Sequence, residues 1–175
     1  MKKYLVIAFL MLATISTNAQ VVEELYRDVD ETWEAKAEIG TFYNGDTHKF
    51  DLQGLVGFGR NFIGDFYLGA ATGIYASVIE STNYIPVMAE FTGDIPISTN
   101  LFPFITVRAG YAFKMGGEDY AKNYWTFNPQ FGLCYRFSPK FNFRGSLGYL
   151  GLYNNASVYS TINCFQVKVG IGINF

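Results

Sequence analysis

The sequence predicts an all-β fold, an eight-stranded antiparallel up-and-down transmembrane β-barrel with a polar, largely filled interior, and three observations carry that prediction. Alternation of apolar with polar or small residues recurs in eight stretches from Thr32 onward, the period of two that a strand lays onto opposite faces. On the apolar side of all eight there is no Asp, Glu, Lys, Arg or His. Charged residues make up 16% of the chain and aromatics 18%, with a mean hydropathy of +0.11, whereas soluble domains are about a quarter charged.

Ahead of the strands, Lys2 and Lys3 precede an apolar run, Tyr4 to Ile15, and the small residues of Thr17-Asn18-Ala19. This is the pattern of a secretory signal peptide over 1–19; the run is shorter than the roughly 20 residues that a membrane-spanning helix needs. An acidic, unpatterned leader occupies 20–31 and the barrel 32–175.

The strands follow in order. The first sets Trp33, Ala35, Ala37, Ile39, Thr41 and Tyr43 against Glu34, Lys36 and Glu38. The second sets Phe50, Leu52, Gly54, Val56 and Phe58 against Asp51 and Gln53, and the third runs from Phe66 to Val78 with Tyr67, Gly69, Ala71, Gly73 and Tyr75 on its other side. In the fourth, Ile85, Val87, Ala89, Phe91, Gly93 and Ile95 alternate with Glu90 and Asp94; in the fifth, Ile105, Val107, Ala109, Tyr111 and Phe113 alternate with Arg108 and Lys114. The sixth runs from Trp125 to Phe137 around Asn128, Gln130 and Arg136, the seventh from Phe141 to Tyr149 around Arg144, and the eighth from Phe165 to Phe175 around Gln166 and Lys168. Turn residues separate them, as in Asn44-Gly45-Asp46, Gly116-Gly117 and Ser138-Pro139-Lys140. Pro129 lies inside the sixth strand and, having no N–H to give, predicts a bulge or a local break. Cys134 and Cys164 fall toward opposite ends, too far apart for a disulfide, so both are expected as free thiols.

Alternation alone leaves open which face meets water. The second face is rich in Gly40, Gly57, Gly59, Gly69, Gly73, Gly110, Gly132, Gly148, Gly170 and Gly172 and sparse in Lys and Glu. Such a face makes a poor aqueous surface and a good crowded interior, so the apolar face is assigned to lipid. Closure then pairs every backbone group, as hydrocarbon requires.

So arranged, the chain resembles the small eight-stranded bacterial outer-membrane barrels typified by OmpX and the OmpA membrane domain, over about Thr32 to Phe175. The most specific piece is the ending, where Lys168, Gly170, Ile173 and Phe175 match the spacing of that group's terminal assembly signal. The resemblance implies recognition by the outer-membrane barrel assembly machinery, surroundings of outer-membrane lipid and lipopolysaccharide, and a periplasmic N-terminus.

An eight-stranded lumen is just wide enough for side chains to fill. The expected contents are Glu34, Glu38, Asp51, Glu90 and Asp94 against Lys36, Arg108, Lys114, Arg136, Arg144 and Lys168. Similar depth pairs Glu90 with Arg108 and Glu38 with Lys168, which makes buried charge tolerable. The sole histidine, His48, has no neighbouring serine to activate, so an enzyme, here a lipid-modifying hydrolase or acyltransferase, is not the expected reading. Asn44, Asp46 and His48 suit a hairpin turn better than a cation site. No cofactor is expected: Gly57-Phe58-Gly59 lacks the third glycine and the helix of a dinucleotide site, and no Cys/His spacing suits a metal. A formal net charge of −2 gives no reason for a nucleic-acid partner. The role expected is therefore structural or surface-interacting in the outer membrane. The alternative is a narrow channel or lateral-exit transporter for a small or hydrophobic solute, with Pro129 loosening the ladder.

Overall fold

The computed structural model describes residues 32–45, 48–62, 66–76, 83–115, 124–153 and 161–175. They form β1 (Trp33–Asn44), β2 (Lys49–Phe62), β3 (Phe66–Ala76), β4 (Asn83–Asp94), β5 (Leu101–Met115), β6 (Tyr124–Ser138), β7 (Phe141–Tyr153) and β8 (Thr161–Asn174). Sequential strands pair antiparallel and β1 pairs with β8, so the sheet closes into a barrel without an edge. The β1–β8 ladder runs from Glu34↔Asn174 to Asn44↔Cys164, and two backbone hydrogen bonds extend it, Trp33 N to Phe175 O at 3.0 Å and Phe175 N to Trp33 O at 2.9 Å. The end carrying Trp33 and Phe175 is termed the near end, the other the far end.

Outward positions are the apolar ones: Ile39, Phe50, Phe131 and Phe137 are all more than three-fifths exposed. A surface of that composition faces lipid. Aromatic rings concentrate toward both ends. At the near end Trp33 stacks on Phe58 (5.1 Å between centroids) and Phe66 on Phe91 (5.9 Å); at the far end Tyr111 meets Trp125 at 4.0 Å and Tyr43 meets Phe50 at 4.9 Å.

Glycine serves to make room for inward side chains. A Cβ on Gly132 would come within 2.7 Å of the Phe104 ring, and one on Gly170 within 2.7 Å of Glu38 Cγ. Gly59 likewise lies under the Tyr67 ring. The two cysteines are free and buried, Cys134 toward the near end and Cys164 toward the far end.

Proline interrupts the sheet without shifting it. Between β6 and β7, pairing runs to Phe127↔Gly151, lapses at Pro129, and resumes in the same register at Gln130↔Gly148. Pro129 has no N–H for the opposite Tyr149 carbonyl. That oxygen instead receives a long 3.4 Å hydrogen bond from Gln166 Nε2, reaching out of the lumen. The break expected at Pro129 is thus a lapse with no bulge; the bulge on this seam lies between Arg136 and Ser138. Pro86 makes an equal lapse between β3 and β4, from Thr72↔Val87 to Tyr75↔Tyr84, which the sequence reading passed over.

Several strands also outrun their expected bounds. β5 begins at Leu101 rather than near Ile105, and β7 continues to Tyr153 rather than Tyr149. In both extensions inward residues are apolar, Phe102 and Phe104 in one and Leu150 and Leu152 in the other, so the polar half of the alternation vanishes.

Candidate functional site

The barrel interior divides along its length. In the near half, the inward register of β1 supplies Glu34, Lys36 and Glu38, joined by Glu90 and Asp94 of β4, Arg108 of β5, Arg144 of β7 and Lys168 of β8. Arg108 is the hub. Its Nη1 and Nη2 each donate at 2.7 Å to the two oxygens of Glu38, and its Nε donates at 2.8 Å to Glu90. Lys36 Nζ lies 2.9 Å from Glu90 and 3.8 Å from Glu34, and 3.2 Å above the centre of the Tyr67 ring. Arg144 lies 3.3 Å from Glu34 and 3.7 Å from Asp94, and Lys168 lies 3.2 Å from Glu38. Charges at this depth persist only when paired and hydrogen-bonded, and bidentate guanidinium–carboxylate geometry is the strongest form of such pairing. The network therefore forms a cross-linked plug.

Two neighbouring pairs expected from sequence depth, Glu90 with Arg108 and Glu38 with Lys168, thus lie in contact. Three expected members stand apart. Lys114 is half-buried toward the far end of β5, Arg136 lies with its guanidinium carbon 4.5 Å from the centre of the Phe102 ring at the near end, and Asp51 lies far along β2. The residues of the suggested assembly signal divide by face: Lys168 and Gly170 point into the lumen, Ile173 and Phe175 outward.

Next to the ions lies a layer of amides that sequence reading did not single out. Gln53 Nε2 and Asn128 Nδ2 both donate to Gln166 Oε1 at 3.1 Å, Gln166 Nε2 donates back to Asn128 at 2.7 Å, and Ser146 Oγ donates to Gln130 at 3.1 Å. Their signal was available: each occupies an inward position on its strand, in phase with the charged residues.

The far half is mostly apolar, with Asn44, Asp51, Gln53 and Thr126 as its buried polar residues. Phe42, Leu55, Ala71, Tyr75, Met88, Ala112, Tyr124, Leu150, Leu152 and Cys164 form one buried cluster inside the barrel, flanked by Tyr84 and Ile162. Phe42 meets Tyr75 edge-to-face at 5.8 Å, and Tyr84 meets Tyr124 likewise at 5.6 Å. The interior thus holds a packed apolar cluster beside its polar network, which the charge count did not anticipate.

At the β1–β2 turn, His48 takes a left-handed backbone (φ 53°) and its Nδ1 is hydrogen-bonded to Tyr43 OH at 2.7 Å. Asp46 lies outside the described residues. Among the described residues no group of His, Cys, Asp and Glu has a metal-binding arrangement.

A protein-family model described as "Putative MetA-pathway of phenol degradation" matches residues 13–175. No curated protein matches the sequence. Among solved structures, the neisserial surface protein A matches with a TM-score of 0.66 at 12% identity, over 83% of this chain and 97% of that one. The N-terminal barrel domain of Pseudomonas aeruginosa OprF gives 0.54 at 15% identity, over 83% and 100%. The outer-membrane enzyme PagL gives 0.52 at 12% identity, over 79% and 98%. At these identities the likeness establishes the fold, that of the small outer-membrane barrels.

Proposed function

Since the chain belongs to that phenol-degradation family, matched across nearly its whole length, we propose that it is an outer-membrane barrel that takes a small apolar solute into the far half of its lumen and releases it sideways into the bilayer. The observation that supports this reading is the division of the interior, an apolar cluster set against an ion-paired plug. A solute entering from the far end meets no path through the plug, because crossing it would separate buried charges. The lateral seam this reading assigns is β6–β7, one of two interrupted by proline, where Pro129 leaves the ladder one bond short and Leu150 lines the inside.

In this reading the near end is periplasmic, the far end faces outward, lipid and lipopolysaccharide cover the outer band, and Lys168, Gly170, Ile173 and Phe175 serve the assembly machinery. A purely structural or surface-interacting role draws on the same plug, and solute binding separates the two. Purified protein in lipid nanodiscs should bind toluene saturably, above the partition into protein-free nanodiscs, and Leu150→Trp should abolish that binding by occupying the place the solute would take in the apolar cluster. Uptake that never saturates and matches the empty nanodiscs would leave only the structural role.

A further inference from the structure

Among the described strand positions that face outward, one carries a charged side chain. β2 runs past Phe58 to Phe62, and this extension sets Arg60 on the lipid side, directly across from Trp33. Its guanidinium carbon lies 6.0 Å from the centre of the Trp33 ring and 5.7 Å from that of Phe62. A long cationic side chain beside aromatics at a barrel rim holds its head at the level of the lipid headgroups.

From that rim a furrow leads along β1 toward mid-depth. Ala35 lies between Phe58 and Ile173, and Ala37 between Val56 and Ile171, so larger residues overtop the strand on both sides. The furrow ends in a hollow of about 490 Å³ lined by Ala37, Ile39, Gly54, Val56, Phe143 and Ile171 among others. A Cβ on Gly54 would meet nothing within 4 Å, so the hollow is open toward the bilayer. Gly54 lies six positions along β2 from Arg60, about 20 Å of strand. A strand tilt of about 40° makes that about 15 Å of depth, half of a hydrocarbon core about 30 Å thick. One acyl chain spans that distance.

We propose that this strip is a binding site for one glycerophospholipid, its phosphate on Arg60 and one acyl chain lying over Ala35 and Ala37 with its end in the hollow at Gly54. Charge complementarity selects the head, and continuity with the lipid-facing wall selects the chain. The site is independent of the solute reading. It takes from the proposed orientation only that the near end is periplasmic, where the adjoining leaflet supplies phospholipid rather than lipopolysaccharide.

The test is native mass spectrometry of the protein released from detergent micelles, titrated with palmitoyl-oleoyl phosphatidylglycerol. The parent should hold a first lipid severalfold more tightly than any later one. Arg60→Gln should weaken that first affinity about fivefold. Gly54→Leu, which fills the hollow, should weaken it severalfold, and Gly54→Val serves if the leucine variant does not fold. Ala109→Leu, on β5 across the barrel from β1, should leave it unchanged. Successive lipids bound with equal affinity overturn the site. So does an effect of Arg60→Gln alone, which reduces the arginine to an interfacial anchor, or of Gly54→Leu alone, which leaves a chain without its head. Preferential retention of lipopolysaccharide from a mixture of the two lipids, or a dimer that Gly54→Leu separates, gives the strip to another occupant and overturns the assignment.

Discussion

Arg108 decides most at the scale of single residues, because it touches two carboxylates at once. Its link to Glu90 was readable from strand depth, for the two are cross-strand partners on adjacent strands. Its bidentate grip on Glu38 was not, since that contact spans the lumen between residues 70 positions apart and only closure of the barrel brings them together. Replacing Arg108 by Met leaves Glu38 only Lys168 and Glu90 only Lys36 as cationic partners and should cost about 3–5 kcal/mol, read as urea-induced unfolding by tryptophan fluorescence in micelles. Arg136→Met, at the ring of Phe102 and outside the plug, should cost under about 1 kcal/mol. Glycines sort by the same logic of position. Gly132→Ala pushes a methyl against Phe104 and should destabilise by about 1–3 kcal/mol, whereas Gly54 and Gly145 have open space where a Cβ would go, so alanine there should be neutral by the same assay.

At the scale of strands, the alternation that defined each element held wherever the lumen is polar and faded where it is apolar. That is why the centres of β1, β4 and β8 were legible, while the beginning of β5 and the end of β7 were not: Phe102, Leu150 and Leu152 look like lipid-facing residues to a pattern that counts only hydrophobicity. The division of the interior was hidden for the same reason. Proline was half legible. Pro129 disturbed a run of aromatics and drew notice, whereas Pro86 sits at an inward position between Ile85 and Val87 and reads as an ordinary small residue. Pro129→Ala restores an N–H opposite Tyr149 and should add about 1 kcal/mol of stability. If the β6–β7 seam is the exit, it should also slow transfer of bound toluene to acceptor vesicles severalfold in stopped flow, at unchanged affinity. Pro86→Ala closes the β3–β4 lapse and serves as the control; an equal slowing by both variants, or by neither, removes the seam from its role.

For the molecule as a whole, the ionic plug and the apolar half make opposite demands on permeability. A cross-linked ionic plug in an eight-stranded lumen should leave the protein electrically silent in planar bilayers, so regular conductance steps at neutral pH would show a continuous aqueous path that the packed network does not allow. The outer surface tolerates charge as poorly as the plug tolerates its loss. Leu147→Arg, at the centre of β7 between Phe131 and Val167, places a guanidinium on the lipid face and should cost about 2–4 kcal/mol near the bilayer midplane, measured by folding into lipid vesicles. All of these outcomes presuppose that the aromatic and aliphatic faces of the strands meet hydrocarbon. Spin labels on single cysteines at Ile39, Val56, Phe131 and Val167, with Cys134 and Cys164 replaced by serine, report that directly through collision with oxygen and with a water-soluble nickel complex. High oxygen and low nickel accessibility at all four is the predicted result; nickel accessibility equal to that of a water-exposed turn would mean that these side chains face water and that the barrel has been read inside out.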